Sequence, residues 1–322
     1  TIALFRAVYK DASRLLINNM CMLLSIGFVM LTRLDFDRAL KQFKIVTLSL
    51  LLGLSIPYLI KRFRFLEKFT WLYGVFGVFA LAIVLILGAV TNGSKISYSL
   101  AGYTFQPSEF VKILFVFFVA GMYAKSKDFL QVVITTMAAA AHVITLVLSK
   151  DLGSALIFFV VYVVMTFIAT RNYFYLILGI LAGCGAGMVA AKIFSHVRVR
   201  ILAWQDPWSY IDGSGYQITQ SLFAIGTGGW FGMGLYQGDP TAIPYVSEDF
   251  IFSAVAEELG VFFSICLILV CLSCFIAFMN VAMRMKNEYY RLIAAGLAVV
   301  YIFQIFLTIG GGTRFIPLTG VT

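Results

Sequence analysis

The 322 residues are 61% hydrophobic and only 12% charged, with a mean hydropathy of +0.95 and a formal net charge of +9. A soluble domain carries roughly 25% charged residues, so this composition excludes a soluble fold. The basic balance does not point to nucleic acid, because Lys and Arg flank apolar blocks, as in Lys61, Arg62, Arg64 and Lys68. That pattern anchors a chain against anionic lipid headgroups.

The apolar blocks run near the ~20 residues needed to cross ~30 Å of hydrocarbon. In chain order they predict spans over about 16–32, 44–60, 71–90, 108–124, 130–149, 152–170, 173–194, 249–279 and 291–310. The expected fold class is an all-α polytopic membrane protein of about nine transmembrane helices. A single transmembrane domain, 1–322, carries one long extracytoplasmic loop, 195–248. Pro107 and Glu109 open the fourth span, since proline suits the first turn and an acid suits the positive dipole end. Asp151 caps the sixth, and Gly310, Gly311 and Gly312 stop the ninth. Beginning at Thr1 and stopping at Thr322 just past a span, the chain reads as a fragment lacking both natural ends.

Sidedness follows from charge. The connections 1–15, 61–70, 125–129, 171–172 and 280–291 hold 13 Lys and Arg, whereas 33–44, 91–107 and 150–151 hold six. The first set is cytoplasmic by the positive-inside rule, which places 195–248 outside. The five cysteines lie inside apolar blocks and read as small buried hydrophobes.

Ionisable groups at membrane depth cost roughly 2.5–3.5 kcal/mol each and tend to be paired or used. Glu109 and Lys112 stand three apart and can pair on one helix face, as a helix lock or as a substrate contact. His142, alone in mid-span, reads as a packing residue. Asp151 is both a cap and an acid at the outer rim. Asp249 stands where the long loop enters the eighth span, with Glu257 ~12 Å deeper on broadly the same side. An acid at this boundary is placed to take a proton from a hydroxyl, or to favour the helix start through the dipole.

The loop adds Arg198 and Arg200, then an amphipathic stretch, Tyr216 to Ile225, expected to lie along the interface. The run Gly226-Thr227-Gly228-Gly229-Trp230-Phe231-Gly232-Met233-Gly234 lets backbone N–H groups approach an anion, or forms a tight re-entrant turn. It lacks P-loop and dinucleotide spacing. With Lys95 on the same side, these cations suit a phosphate group and point to a lipid-linked phosphorylated substrate.

At these residues the chain resembles the SEDS family of RodA, FtsW and SpoVE. The resemblance rests on Gln106-Pro107-Ser108-Glu109 with Lys112, Asp151-Leu152-Gly153-Ser154, and Gly215-Tyr216-Gln217 with Gln220-Ser221. It continues through Ala224-Ile225-Gly226-Thr227-Gly228-Gly229, Asp249-Phe250-Ile251-Phe252 with Ala256-Glu257-Glu258-Leu259-Gly260, and Pro317-Leu318-Thr319-Gly320. It implies a ten-span peptidoglycan glycosyltransferase of the bacterial cytoplasmic membrane. Such an enzyme polymerises lipid II on the outer face, in division or cell-shape maintenance, beside a class B penicillin-binding transpeptidase. The family's essential aspartate falls on Asp249.

Two stretches depart from the family. Lys95-Ile96 stands where Arg-Trp is usual. Ile243-Pro244-Tyr245-Val246-Ser247-Glu248-Asp249 replaces Leu-Pro-Glu-x-His-Thr-Asp, so an acid and an imidazole are missing and Glu248 is the residue that can compensate. Asp249 is therefore the expected base. Lys95, Lys112, Arg198 and Arg200 are expected pyrophosphate contacts, and Glu109, Asp151, Gln220, Ser221 and Glu257 are further substrate-site residues. No metal site is expected, although a divalent cation could assist at a phosphate. The competing reading is a lipid II flippase, since Glu109, Lys112 and Asp151 would also serve a transport path.

Overall fold

The computed structural model describes residues 2–9, 12–62, 66–91, 94–100 and 103–320; Arg64 lies outside them. The helices are α1 (Ile2–Val8), α2 (Arg14–Leu34), α3 (Phe36–Arg62), α4 (Thr70–Leu87), α5 (Pro107–Lys125) and α6 (Phe129–Leu148). They continue with α7 (Leu152–Thr170), α8 (Tyr173–Ile193), α9 (Ser195–Gln205), α10 (Tyr216–Gly228), α11 (Ile251–Arg284) and α12 (Glu288–Gly312). Among the described residues, nine helices are long and apolar enough to cross a membrane, α4 together with the 3-10 turn Leu66–Phe69. These nine match the predicted spans. The chain forms two compact units, one of Thr1–Phe63, Ala190–Ala277 and Ile305–Thr322, the other of Arg64–Val189 and Phe278–Gln304.

In the first unit, α2 and α3 meet at a single residue, Asp35, and the loop expected over 33–44 is helical from Phe36. The reason is a cap: Asp35 Oδ1 accepts from the Arg38 backbone N–H at 3.0 Å, so the polar 36–44 stretch extends the helix instead of a turn. The core of this unit gathers Met30, Ile218, Ala224, Ile243, Val246, Phe250, Ala254 and Val255.

The amphipathic stretch expected along the interface forms α10, whose apolar face is covered by protein. Ser221 meets Ser253, and at Gly228 an added Cβ would sit 2.1 Å from the Ala256 carbonyl oxygen. α10 thus runs beside the first turns of the spanning helix α11 and buries Ile218 and Ala224 against it. Amphipathicity reads alike whether the partner is a headgroup layer or another helix.

α11 is itself broken. Gly260 has φ +86°, about 14 Å along the helix from Ile251 at 1.5 Å per residue. The glycine-rich turn fills the break. Val261 and Phe262 N–H groups donate to the Gly229 and Trp230 carbonyls at 3.0 and 3.2 Å, while Met233 and Gly234 N–H groups donate to Glu257 and Glu258 carbonyls at 2.9 and 3.0 Å. Non-helical backbone at membrane depth is tolerated where other backbone satisfies it, and the re-entrant turn supplies that here.

Beside the break, Arg33 on α2 pairs with Glu258 at 2.9 Å, the carboxylate side chain being fully buried. Arg33 also donates to the Gly238 carbonyl at 3.1 Å and lies over the Tyr236 ring. Removing one partner of a buried pair leaves an uncompensated charge and costs ~3–5 kcal/mol. Arg33→Ala should therefore lower the thermal midpoint of the detergent-solubilised protein sharply, and adding Glu258→Gln should recover part of the loss. An additive double variant would contradict this pairing.

In the second unit, α4 packs on α5 and α6, and α7 packs on the same two helices. His142 lies in this core, Nδ1 against the Ala138 carbonyl at 2.9 Å and its ring among Phe115, Phe118 and Phe158. It is the packing residue its isolation predicted. A polar tier, Tyr123 with Thr166 at 2.9 Å and Thr136 with Tyr162 at 2.6 Å, ties α5, α6 and α7, as hydrogen bonds do between membrane helices. α8 buries no side chain and presents its apolar residues outward. The connection expected over 91–107 holds strands of a small antiparallel sheet, β1 (Ala89–Thr91), β2 (Ser94–Leu100) and β3 (Tyr103–Phe105), the first of which begins inside the predicted third span. The alternation Ile96, Tyr98, Leu100 is the strand signal.

Candidate functional site

Asp249 closes the long loop two residues before α11 begins. Phe250 is fully buried in the core of its unit and fixes the backbone there. One turn on, Ser253 Oγ donates to Ser221 Oγ on α10 at 2.6 Å, because the Ser221 hydroxyl donates to the Gly312 carbonyl at 2.7 Å. This buried relay locks α10, the start of α11 and the end of α12 together. Gly312 fits closely: an added Cβ would stand 3.5 Å from Ser253 Oγ and 3.9 Å from the Asp249 carbonyl oxygen.

The segment after α12 is tied to α9. Arg314 donates to the Trp204 and Gln205 carbonyls at 2.9 and 2.8 Å, and Trp204 returns a bond to the Arg314 carbonyl at 3.0 Å. Arg200 donates through Nη1 to Thr319 at 2.9 Å and Leu318 at 3.4 Å. The Pro317-Leu318-Thr319-Gly320 stretch is thus held by α9.

Asp249 is half-buried and its Oδ1 has no hydrogen-bond partner among the described residues. Burial pushes its carboxyl above the ordinary aspartate range; the Glu248 charge adds to this, and Arg200 opposes it. A carboxylate held this way keeps an unpaired acceptor oxygen and an enhanced appetite for a proton. That is the outfit of a general base.

The other expected residues divide. Ser221 is in the relay, and Gln220 is half-buried on α10. Arg198, two residues from Arg200, turns to the Lys192 carbonyl at 3.3 Å. Oε1 of Glu257 accepts from the Asp239 backbone N–H at 2.9 Å.

In the second unit, Lys112 is only 3% exposed, paired with Glu109 at 2.6 Å and donating to Gln304 on α12 at 3.1 Å. Gln106 Nε2 donates to Ser108 Oγ at 3.0 Å and to Asp151 Oδ2 at 3.5 Å. Asp151 Oδ1 caps α7 through the Ser154 N–H at 3.0 Å. Burial raises the Asp151 carboxyl, the Ser154 bonds lower it, and the fields of Glu109 and Lys112 also reach it. The Gln-Pro-Ser-Glu stretch, Lys112 and Asp151 therefore form one polar group. Lys95 lies in β2, and its side chain is outside what the structure describes.

Sequence reasoning passed over Ser253, Arg38, Arg314 and Gln304. Ser253 stands four residues from Asp249, and Gln304 is a polar residue inside an apolar span, a signal in its own right. Among the described residues no three His, Cys, Asp or Glu side chains group as a metal site.

The FTSW_RODA_SPOVE family model, described as cell cycle protein, matches residues 13–322. The chain is 34% identical over 345 residues to peptidoglycan glycosyltransferase RodA of Mycobacterium tuberculosis, covering 98% of this chain and 73% of that one. It is 32% identical over 267 residues to stage V sporulation protein E of Bacillus subtilis, covering 79% and 72%. Two solved structures share the fold. RodA of Thermus thermophilus matches with TM-score 0.72 at 20% identity, covering 98% and 89%. A chain from a peptidoglycan synthase complex, in which polymerization and crosslinking are coordinated, matches with TM-score 0.81 at 23% identity, covering 95% and 89%.

Proposed function

Because this chain belongs to the FtsW/RodA/SpoVE family, we propose that it is a peptidoglycan glycosyltransferase of the bacterial cytoplasmic membrane that polymerises lipid II into glycan strands. The observation that carries the reading is Asp249, half-buried, with a buried Oδ1 that has no partner among the described residues and with Arg200 acting on its charge. In the reaction a sugar hydroxyl of one lipid II attacks the anomeric carbon of another chain. The bond from that carbon to the lipid pyrophosphate breaks, the pyrophosphate leaves with the bonding pair, and the hydroxyl proton passes to Asp249.

Charge developing on the leaving pyrophosphate is best met by fixed cations. Lys95, Lys112, Arg198 and Arg200 are the proposed contacts. Arg200 spends Nη1 on the 318–319 carbonyls and keeps further donors of its five. Glu109 holds Lys112 in place, and Asp151, Gln220, Ser221 and Glu257 are proposed to support the substrate. The outer face is assigned to 195–248 by charge bias. A class B penicillin-binding transpeptidase is the proposed partner, in keeping with the synthase complex of similar fold.

Purified full-length protein in proteoliposomes, given labelled lipid II with and without such a transpeptidase, should yield glycan ladders; none in either condition would refute the assignment. The break at Gly260 favours a second reading, because interrupted helices mark many transporters. Lipid II translocation by the same vesicles that survives Asp249→Asn, with no ladders from the unaltered protein, would establish that reading instead.

A further inference from the structure

We propose that Arg38 is a positioning residue for Asp249, acting through Ser247 and Glu248; this rests on the assignment of Asp249 as base. Arg38 stands in the first turns of α3, and Glu248 lies 210 residues away in sequence. Its Nη1 donates to Glu248 Oε1 at 2.6 Å and to Ser247 Oγ at 2.9 Å. Its Nε is braced by Asp35 Oδ2 at 3.1 Å. One guanidinium therefore grips both side chains that immediately precede Asp249.

Stability does not account for this arrangement. The Arg38 and Glu248 side chains are 50% and 38% exposed, and such pairs contribute little. What the grip does is local. Glu248 is the anion nearest Asp249 in the chain and disfavours its ionised form, and Arg38 offsets that charge while fixing the loop.

Among the described residues, the charged groups acting on Asp249 are few. Glu248 comes from its own loop, Arg200 from α9, and Arg38 from α3 by way of Glu248. Arg314 is engaged with the Trp204 and Gln205 carbonyls, Arg33 of α2 is engaged with Glu258, and α10 carries no charged side chain.

The test is an infrared titration of the full-length protein in nanodiscs, with the Asp249→Asn spectrum subtracted in each background so that the Asp249 carboxyl band is read directly. Arg38→Gln should raise the Asp249 midpoint by about half a pH unit, the reach of an exposed ion pair. Glu248→Gln should lower it, the double variant should return it to or below the wild-type value, and Arg38→Lys should stay near wild type. An Arg38→Gln midpoint that is unmoved or lowered overturns the proposal. Should that variant fail to fold, an unmoved or raised Glu248→Gln midpoint does the same. Polymerisation by the same samples separates the two readings: midpoints that move as expected without ladders from the wild type fault the functional assignment and leave the positioning role standing.

Discussion

Asp249→Asn should lower the initial rate of lipid II polymerisation by roughly 10²–10⁴-fold, the usual worth of a positioned general base. The protein should remain folded. Asparagine has the shape of aspartate and carries no charge, and the carboxylate is held where burial and Glu248 disfavour its charged form. The sign follows from linkage. A carboxyl whose folded-state pKa is raised binds protons more readily when folded, so stability falls as pH rises through that raised value. Asn removes that loss, and the thermal midpoint of the variant near neutral pH should equal or slightly exceed the wild-type one. A large fall in both activity and thermal midpoint would instead mark Asp249 as a structural residue.

Gly260→Ala should be the most damaging single substitution for the fold. At φ +86° an added Cβ would lie 2.4 Å from the Gly232 nitrogen, 2.5 Å from the Phe231 carbonyl carbon and 2.6 Å from the Trp230 oxygen. All three are backbone atoms, so no side chain can swing aside. The left-handed conformation adds roughly 1–2 kcal/mol for a residue with a Cβ, and relief of the clash requires parting the turn from the break. The four backbone bonds that bridge them would then lose their partners at membrane depth, where each unsatisfied group costs several kcal/mol. The expected outcome is loss of folded, monodisperse protein and new protease cleavage between 226 and 240. Gly226→Ala is the matched control: nothing lies within 4 Å of its added Cβ inside α10, so it should be neutral or stabilising by up to ~1 kcal/mol. Equal behaviour of the two would contradict the bridged break.

What the sequence disclosed follows a physical pattern. Spans were legible because a bilayer imposes one length and one composition on them. Glu109, Lys112 and Asp249 were legible because a charge inside or beside an apolar block is costly and stands out. Asp151 was legible as a cap because capping is local, acting on the N–H of Ser154 three residues on.

Contacts between distant segments were not legible. Nothing around Gly260 says that the carbonyls of Gly229 and Trp230 will take over its missing helical bonds, and a lone glycine in an apolar run passes as ordinary helix. The apolar stripe of α10 did not name Ala254 and Val255 as its neighbours, because such a stripe is blind to its partner. Arg33 and Arg38 looked like loop cations, yet they reach Glu258 and Glu248 on segments over 200 residues away. Pairings of that kind are set by which helices pack together.

If Asp249 accepts the proton in glycan polymerisation, as we propose, the pH dependence of the polymerisation rate reports it. Full-length protein with saturating labelled lipid II should show an acidic limb whose midpoint lies above the ordinary aspartate range, because burial and Glu248 raise the carboxyl against the pull of Arg200. The residual rate of Asp249→Asn should lack that limb. A wild-type limb within the ordinary aspartate range, or one that persists unchanged in Asp249→Asn, would contradict the claim.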